Sequence, residues 1–189
     1  MQSYKVLNKQ VFKSGIYSIV PIRFGDRIDI MNWRNEQIYH LRQATPLTLE
    51  KQDDYFNTVI SNSFKLDQPS QILFSYLKNN RCIGYGGLVH MNWIDKNAEI
   101  SFVMNTELEK VSFKKYWSAF LNLIEQAAFN ELNFHKIFTY AFDVRPHLYA
   151  AIEGKGYKKE AVLAEHCFFN NTFIDVVIHS KIYSGNEVS

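Results

Sequence analysis

The sequence predicts an α+β protein: one mixed, mostly antiparallel sheet with a helical crossover in its middle. Runs of β-branched and aromatic residues, bounded by turn residues, recur along the chain. Helical spacing of apolar residues appears early, before the main block of strands. One long helical stretch then separates two strand-like runs, which the right-handed crossover rule makes parallel neighbours.

Each element has its own signal. YSIVPIR (17–23) is β-branched and reads as a strand. GDRIDIMNWRNEQIYHL (25–41) reads as a helix, with Asp26 as N-cap. Thr48 opens a second helix, LEKQDDYFNTVI. QILFSYLK (71–78) and CIGYGGLVHMNW (82–93) form a hairpin around Asn79 and Asn80. Gly84, Gly86 and Gly87 point to a bulge or a close ligand in the second of these strands. AEISFVMN (98–105) follows the turn IDKN, and a helix is expected over 113–131. HKIFTYAF (135–142) is the next strand, and RPHLYAAIEG (145–154) is a short helix with a proline at its start. A last hairpin joins 162–169 to 173–183, and the tail SGNEVS is expected to fray. The parallel pair 98–105 and 135–142 can splay and leave a slot for a ligand at its carboxyl end.

Composition narrows the function. The 189 residues are 47% hydrophobic and 15% aromatic, which suits one domain over 1–189. The 21 basic and 19 acidic residues leave a net charge of +2, so there is no electrostatic case for nucleic acid or membrane as partner. Cys82 and Cys167 match no metal spacing and are expected as buried free thiols. The six histidines are scattered, and no metal site is expected. The start MQSYKVLNKQVF has no signal-peptide core, and no apolar run reaches the ~20 residues of a membrane span. A soluble, cytoplasmic protein is expected.

The stretch EKVSFKKYW (109–117) lies between strand and helix, where the first helix amides make an anion site. It holds no glycine to let a phosphate approach the backbone. Lys110, Lys114 and Lys115 can supply charge instead, with Phe113 and Tyr116 beside them. Alternatively, the lysines form a solvated turn and the aromatics pack on the core.

Over roughly residues 16–180 the chain resembles the GNAT superfamily of acetyl-CoA-dependent N-acetyltransferases. AEISFVMN resembles the family's central strand. AAFNELNFHKIFTYAF is similar to the helix end and strand of the branch acting on protein N-termini and amino sugars. GKGYKKEAVLAEHCFFNNTFIDVVIHS is similar to the family's closing run, and MNWRNEQIYHLRQATPLTLEKQDDYF to the W-R-N entry helix of enzymes acting on nucleotide-linked amino sugars. The resemblance implies helices on both sheet faces, a splayed parallel pair, and acetyl-CoA as co-substrate. Two departures stand out. The family's glycine loop falls on Ser112, Lys115 and Trp117, and its thiol-protonating tyrosine on Ile152, one helical turn after Tyr149.

Direct attack of an amine on a thioester needs a base, an oxyanion donor and an acid for the thiolate. Glu99, next to the slot, is the first candidate base. His90, at the end of the glycine-rich strand, is the second. Their structural alternatives are a cross-strand ion pair and simple packing. Tyr149 is the candidate acid, or else a core tyrosine. The resemblance places the oxyanion donor and the pantetheine arm at Val103, Met104 and Asn105. For the acceptor, Arg34 and Arg42 can grip a phosphate, Trp33 offers a flat wall, and Asn35 lies beside them. The expected reaction is acetylation of a small-molecule primary amine, foremost a nucleotide-linked amino-deoxy sugar. Protein N-terminal acetylation and a non-catalytic module are the alternatives, and a homodimer is possible through the terminal strands.

Overall fold

A computed structural model describes residues 2–185 of the chain. Part of the SGNEVS tail, residues 186–189, lies outside them. Eight strands form one sheet in the order β1-β2-β3-β4-β5-β6-β8-β7. They are β1 Phe12–Ser14, β2 Tyr17–Pro21, β3 Ile72–Lys78, β4 Arg81–Asn92, β5 Asn97–Met104, β6 Lys136–Phe142, β7 Lys158–Phe169 and β8 Thr172–Ile182. All neighbouring pairs are antiparallel except β5 with β6. The mixed sheet with its parallel central pair is the fold class expected from the sequence.

The hairpin turns follow from asparagine. Asn79 and Asn80 have φ of 47° and 66°, and Asn170 and Asn171 have φ of 48° and 60°. Both pairs sit in the left-handed region that two-residue hairpins require, which asparagine tolerates better than most residues.

The helices are α1 Arg27–Glu36, α2 Leu49–Tyr55, α3 Thr106–Glu125 and α4 Pro146–Glu153. Wider helical turns, with i→i+5 bonding, extend α2 over Phe56–Ile60 and α3 over Gln126–Glu131. Thr48 caps α2, its side chain accepting from the Lys51 amide at 3.3 Å. Asp26 does not cap α1. Its carboxylate instead accepts from Arg23 at 2.7 Å and from the Ser75 hydroxyl at 2.6 Å, tying the entry loop to β3.

The sheet separates two helical layers. Alternate residues of β5 face opposite sides. Phe102 stacks on Phe120 of α3 at 4.0 Å, while Ser101 faces the pocket under α1 and α2. The glycine run of β4 begins at a bulge, the register with β3 skipping Ile83 between Cys82 and Gly84, and Gly86 and Gly87 let the neighbouring strands approach closely. A Cβ on Gly87 would lie 1.9 Å from the Ile72 carbonyl oxygen, and one on Gly86 would lie 2.2 Å from the Ser101 oxygen.

Three boundaries differ from expectation, the first being the helix read over 25–41, which ends at Glu36 and is followed by a separate tight turn over Ile38–His40. β7 begins at Lys158, four residues before the strand read at 162. The helix read from 113 begins at Thr106, because the Asn105 side chain accepts from the Leu108 amide at 3.0 Å and caps it. That helix is broken at Ser112, where φ is −151° and ψ is 48°. EKVSFKKYW is therefore the end of one helical turn, a break, and the start of a second helix.

Candidate active site

β5 and β6 pair only at Asn97–Lys136, Ala98–Ile137 and Glu99–Phe138. Beyond them β5 stays with β4 as far as Met104, and β6 stays with β8 as far as Phe142. The two strands splay from Ile100 and Thr139 onward. A slot of about 110 Å³ lies in the opening, walled by Ile100, Phe102, Trp117, Tyr140, Ala141 and Leu148. Its β5 edge carries backbone groups with no β6 partner, which an extended amide-bearing ligand can pair with.

A second pocket of about 460 Å³ lies under α1 and α2. Ile22, Ile30, Phe56, Leu73 and Val89 make it largely apolar, and Arg34, Asp54, Tyr55 and Tyr85 add polar groups. Ser101 borders both the pocket and the slot. A donor in the slot and an acceptor in the pocket would meet there.

Glu99 stands two residues from that junction on the same face of β5. It is 5% exposed. One carboxylate oxygen accepts from the Arg42 guanidinium, and the other accepts from His90 Nδ1 at 2.8 Å. Because a carboxylate only accepts, this contact puts the proton on Nδ1 and leaves Nε2 as the basic nitrogen. The His90 side chain is 64% exposed. A bulge in β4 swings it out, with φ of 47° at His90 and a register shift between Val89 and Asn92. Arg42 lies over the Tyr140 ring at 4.5 Å, which fixes its position. Three sequence candidates, Glu99, His90 and Arg42, are thus one cluster.

Other candidates separate. Arg34 lines the second pocket, donating to the Tyr85 hydroxyl at 2.6 Å and to Gln43 at 2.9 Å. Trp33 is 7% exposed and belongs to the core. Asn35 is structural, since its side chain bonds both backbone groups of Leu47.

Val103 and Met104 are buried, and the Met104 carbonyl accepts from Gln37 Nε2 at 2.6 Å. The Asn105 amide is occupied by the Ile83 carbonyl at 2.9 Å, so it is not a free oxyanion donor.

Tyr116 is 5% exposed, its ring against Tyr17 and away from the slot. Lys110 pairs with Glu107 at 2.8 Å. Lys114 and Lys115 are exposed just past the Ser112 break. Phe113 lies along Trp117, its ring centroid 5.9 Å away.

Tyr149 turns from the slot. Its hydroxyl donates to Asp143 at 2.7 Å and its ring stacks on His179 at 5.1 Å. Burial, then the Asp143 carboxylate, pushes its phenol well above the ordinary range, which makes it a poor proton donor.

Sequence reading missed one of the buried charges at the slot. Arg145, 5% exposed, donates from Nη2 to Glu109 at 2.5 Å. Its Nη1 lies 2.9 Å from Nδ1 and 2.7 Å from Nε2 of His40. Burial, followed by the Arg145 charge, pushes the His40 imidazole down to about 3. Burial raises the Glu109 carboxyl above its ordinary range despite Arg145. Arg145 Nε is buried with no partner.

The model of an acetyltransferase (GNAT) domain family matches residues 19–178, so the chain belongs to that family of acetyltransferases. No curated protein matches the sequence. Among solved structures, a spermidine N-acetyltransferase from Vibrio cholerae in complex with CoA and spermine is similar, with a TM-score of 0.78 and 20% identity over 89% of this chain and 96% of that one. A chimera of that enzyme with hSSAT gives a TM-score of 0.75 at 21% identity over 88% and 95% of the two chains. A dodecameric structure of the Vibrio cholerae enzyme gives 0.73 at 21% identity over 89% and 95%. The chain is an N-acetyltransferase by family, and acetyl-CoA fits as its co-substrate. The unpaired β5 edge, the helix break at Ser112 and the orphaned Arg145 Nε suit a ligand carrying amides and phosphates.

Proposed function

We propose that this chain acetylates the primary amine of a small molecule that also carries an anionic group, with a nucleotide-linked amino-deoxy sugar as the foremost case. One observation carries this reading. Among the described residues, Arg34 has no carboxylate partner, only Tyr85, Gln43 and the pocket itself. A largely buried guanidinium held by neutral groups is available for a phosphate or carboxylate.

Acetyl-CoA supplies the acetyl group as a thioester. The chain's own residues handle the amine. Glu99 fixes the His90 tautomer, and His90 Nε2 takes the proton from the incoming ammonium, directly or through one water. Arg42 holds the Glu99 carboxylate in place. Tyr140, lining the slot, stays protonated, with burial and the Cys167 thiol pushing its phenol up to about 12.

A polyamine acceptor is the second reading. The similar solved structures are named as spermidine N-acetyltransferases, and Asp54 lines the pocket where it would meet a second ammonium. In either reading the enzyme is cytoplasmic, with Cys82 and Cys167 both free. A second copy would pack on the β7–β8 hairpin, where Phe168 and Phe173 are exposed.

The test is acetyl transfer from acetyl-CoA to a nucleotide-linked amino sugar and to spermidine, with wild type and Arg34→Ala. The first reading predicts turnover of the sugar nucleotide, lost in the variant. Turnover of spermidine alone, unchanged in the variant, contradicts it.

A further inference from the structure

Glu109 and Arg145 make an ion pair inside the slot wall, and nothing in the acetylation chemistry described above uses it. Their side chains are 12% and 6% exposed, so the pair is removed from water. A buried pair of this kind does little for stability by itself, because desolvation offsets most of the attraction. The pair is also incomplete. A guanidinium carries five N–H donors, and Arg145 Nε, buried, has none of the available acceptors. His40 supplies a neutral acceptor on the other side but no charge.

The place of the pair matters. Arg145 lines the slot, and its guanidinium sits 5.1 Å over the Phe113 ring, at the first residue after the Ser112 break. The helix from Phe113 to Glu125 therefore starts beside a buried cation, and its leading amides favour an anion. Glu109 reaches this spot from the short segment Thr106–Val111. No residue from 106 to 112 is fully buried, and Val111 is 81% exposed. Leu108 packs against the core and Thr106 bonds Gln37 and Glu36, but the turn beyond them has little buried surface, so the Glu109 side chain can leave Arg145 without opening the core.

We propose that Glu109 is an internal stand-in for a phosphate of the donor: in the free enzyme it occupies Arg145, and the donor's pyrophosphate displaces it and takes over the guanidinium. The inference rests on the reading of the slot as the acetyl-CoA site. It makes Arg145 the phosphate-gripping residue that the glycine-free stretch lacks. It also makes donor affinity the outcome of a competition between two anions for one cation.

The experiment is calorimetric titration of acetyl-CoA, and separately of S-acetylpantetheine, which has no pyrophosphate. Both are titrated into wild type, Glu109→Gln and Arg145→Gln, with melting curves run on each. Glu109→Gln removes the competitor's charge but keeps its shape. The expected result is acetyl-CoA binding about 3- to 10-fold tighter in Glu109→Gln, with S-acetylpantetheine unchanged. Arg145→Gln is expected to weaken acetyl-CoA at least ~10-fold and leave S-acetylpantetheine unchanged. Should Arg145→Gln fail to fold, Glu109→Gln alone decides. An unchanged or weakened acetyl-CoA affinity in Glu109→Gln overturns the inference while leaving the slot as the donor site. No acetyl-CoA binding by wild type or Glu109→Gln overturns the donor-site reading and this inference with it. Binding by Glu109→Gln alone is the strongest support.

Discussion

Two clusters of identical residue types flank one slot, and their surroundings set them apart. Glu99, Arg42 and His90 form the first; Glu109, Arg145 and His40 form the second. In the first, only the carboxylate is buried: Glu99 side-chain exposure is 7%, against 46% for Arg42 and 64% for His90. In the second, Arg145 is buried, the Glu109 side chain is only 12% exposed, and the histidine is held neutral. An open cluster can exchange protons with solvent and substrate. A closed one holds its charges until another anion arrives. Composition does not assign either role; access to water does.

The comparison can be broken at several strengths. The largest effect is expected from Glu99→Ala, which releases both Arg42 and His90. A fall in kcat of about 10²- to 10³-fold is expected, because the base His90 loses the group that fixes its tautomer. Steady-state thiol release at saturating acceptor would measure it, and a kcat within about threefold of wild type would remove the open cluster from the chemistry.

Stability should respond the other way. Arg145→Ala leaves Glu109 unpaired in a dry site and is expected to cost about 3 kcal/mol. Arg42→Ala, at a half-exposed pair, should cost under about 1 kcal/mol. Urea unfolding of both variants checks the contrast, and equal losses would show that the two clusters do not differ in burial as described.

The closed cluster also makes stability depend on pH. His40 binds its proton more weakly folded (about 3) than unfolded, where an imidazole has its ordinary value of 6.5. Between those values the unfolded state holds more protons, so this contribution is present above pH ~6.5 and is lost as pH falls toward ~3. Melting temperature should drop on acidification through that window, and less steeply in His40→Asn. Parallel curves for the two proteins would contradict the assignment.

Two smaller effects sharpen the picture. Arg34→Ala should raise the KM of an anionic acceptor by about tenfold while leaving acetyl-CoA binding alone. Tyr149→Phe should change kcat by less than about threefold, because its hydroxyl is committed to Asp143 and its ring to His179. A large loss of kcat there would restore Tyr149 as the acid.

Much of this was legible in the sequence, and the rest for definite reasons was not. Alternation and turn residues placed β2 to β6 and β8 to within a few residues, whereas three-residue β1 is too short to carry a pattern. Thr48 announced a cap correctly. Asn105, which caps α3, went unread because its strand-like neighbours masked it. Gly84, Gly86 and Gly87 were visible as a run, but the strand backbones that forbid a Cβ at Gly86 and Gly87 are distant in sequence. Glu99, His90 and Arg42 were each picked out singly, and only the fold joins residues 9 and 57 positions apart. Arg145 gave no signal. Its partners Glu109 and His40 lie 36 and 105 residues away, and a lone arginine before a proline looks like a helix start.

The central claim is that the open cluster moves the acceptor's proton. It is tested most directly by the pH dependence of acetyl transfer in wild type and His90→Gln, followed through release of the CoA thiol. The account predicts a wild-type rate that climbs with pH, as expected where a base must take the acceptor's proton. In His90→Gln it predicts a rate at least ~100-fold lower, with that climb gone. A variant that keeps the wild-type rate and the wild-type profile would contradict it.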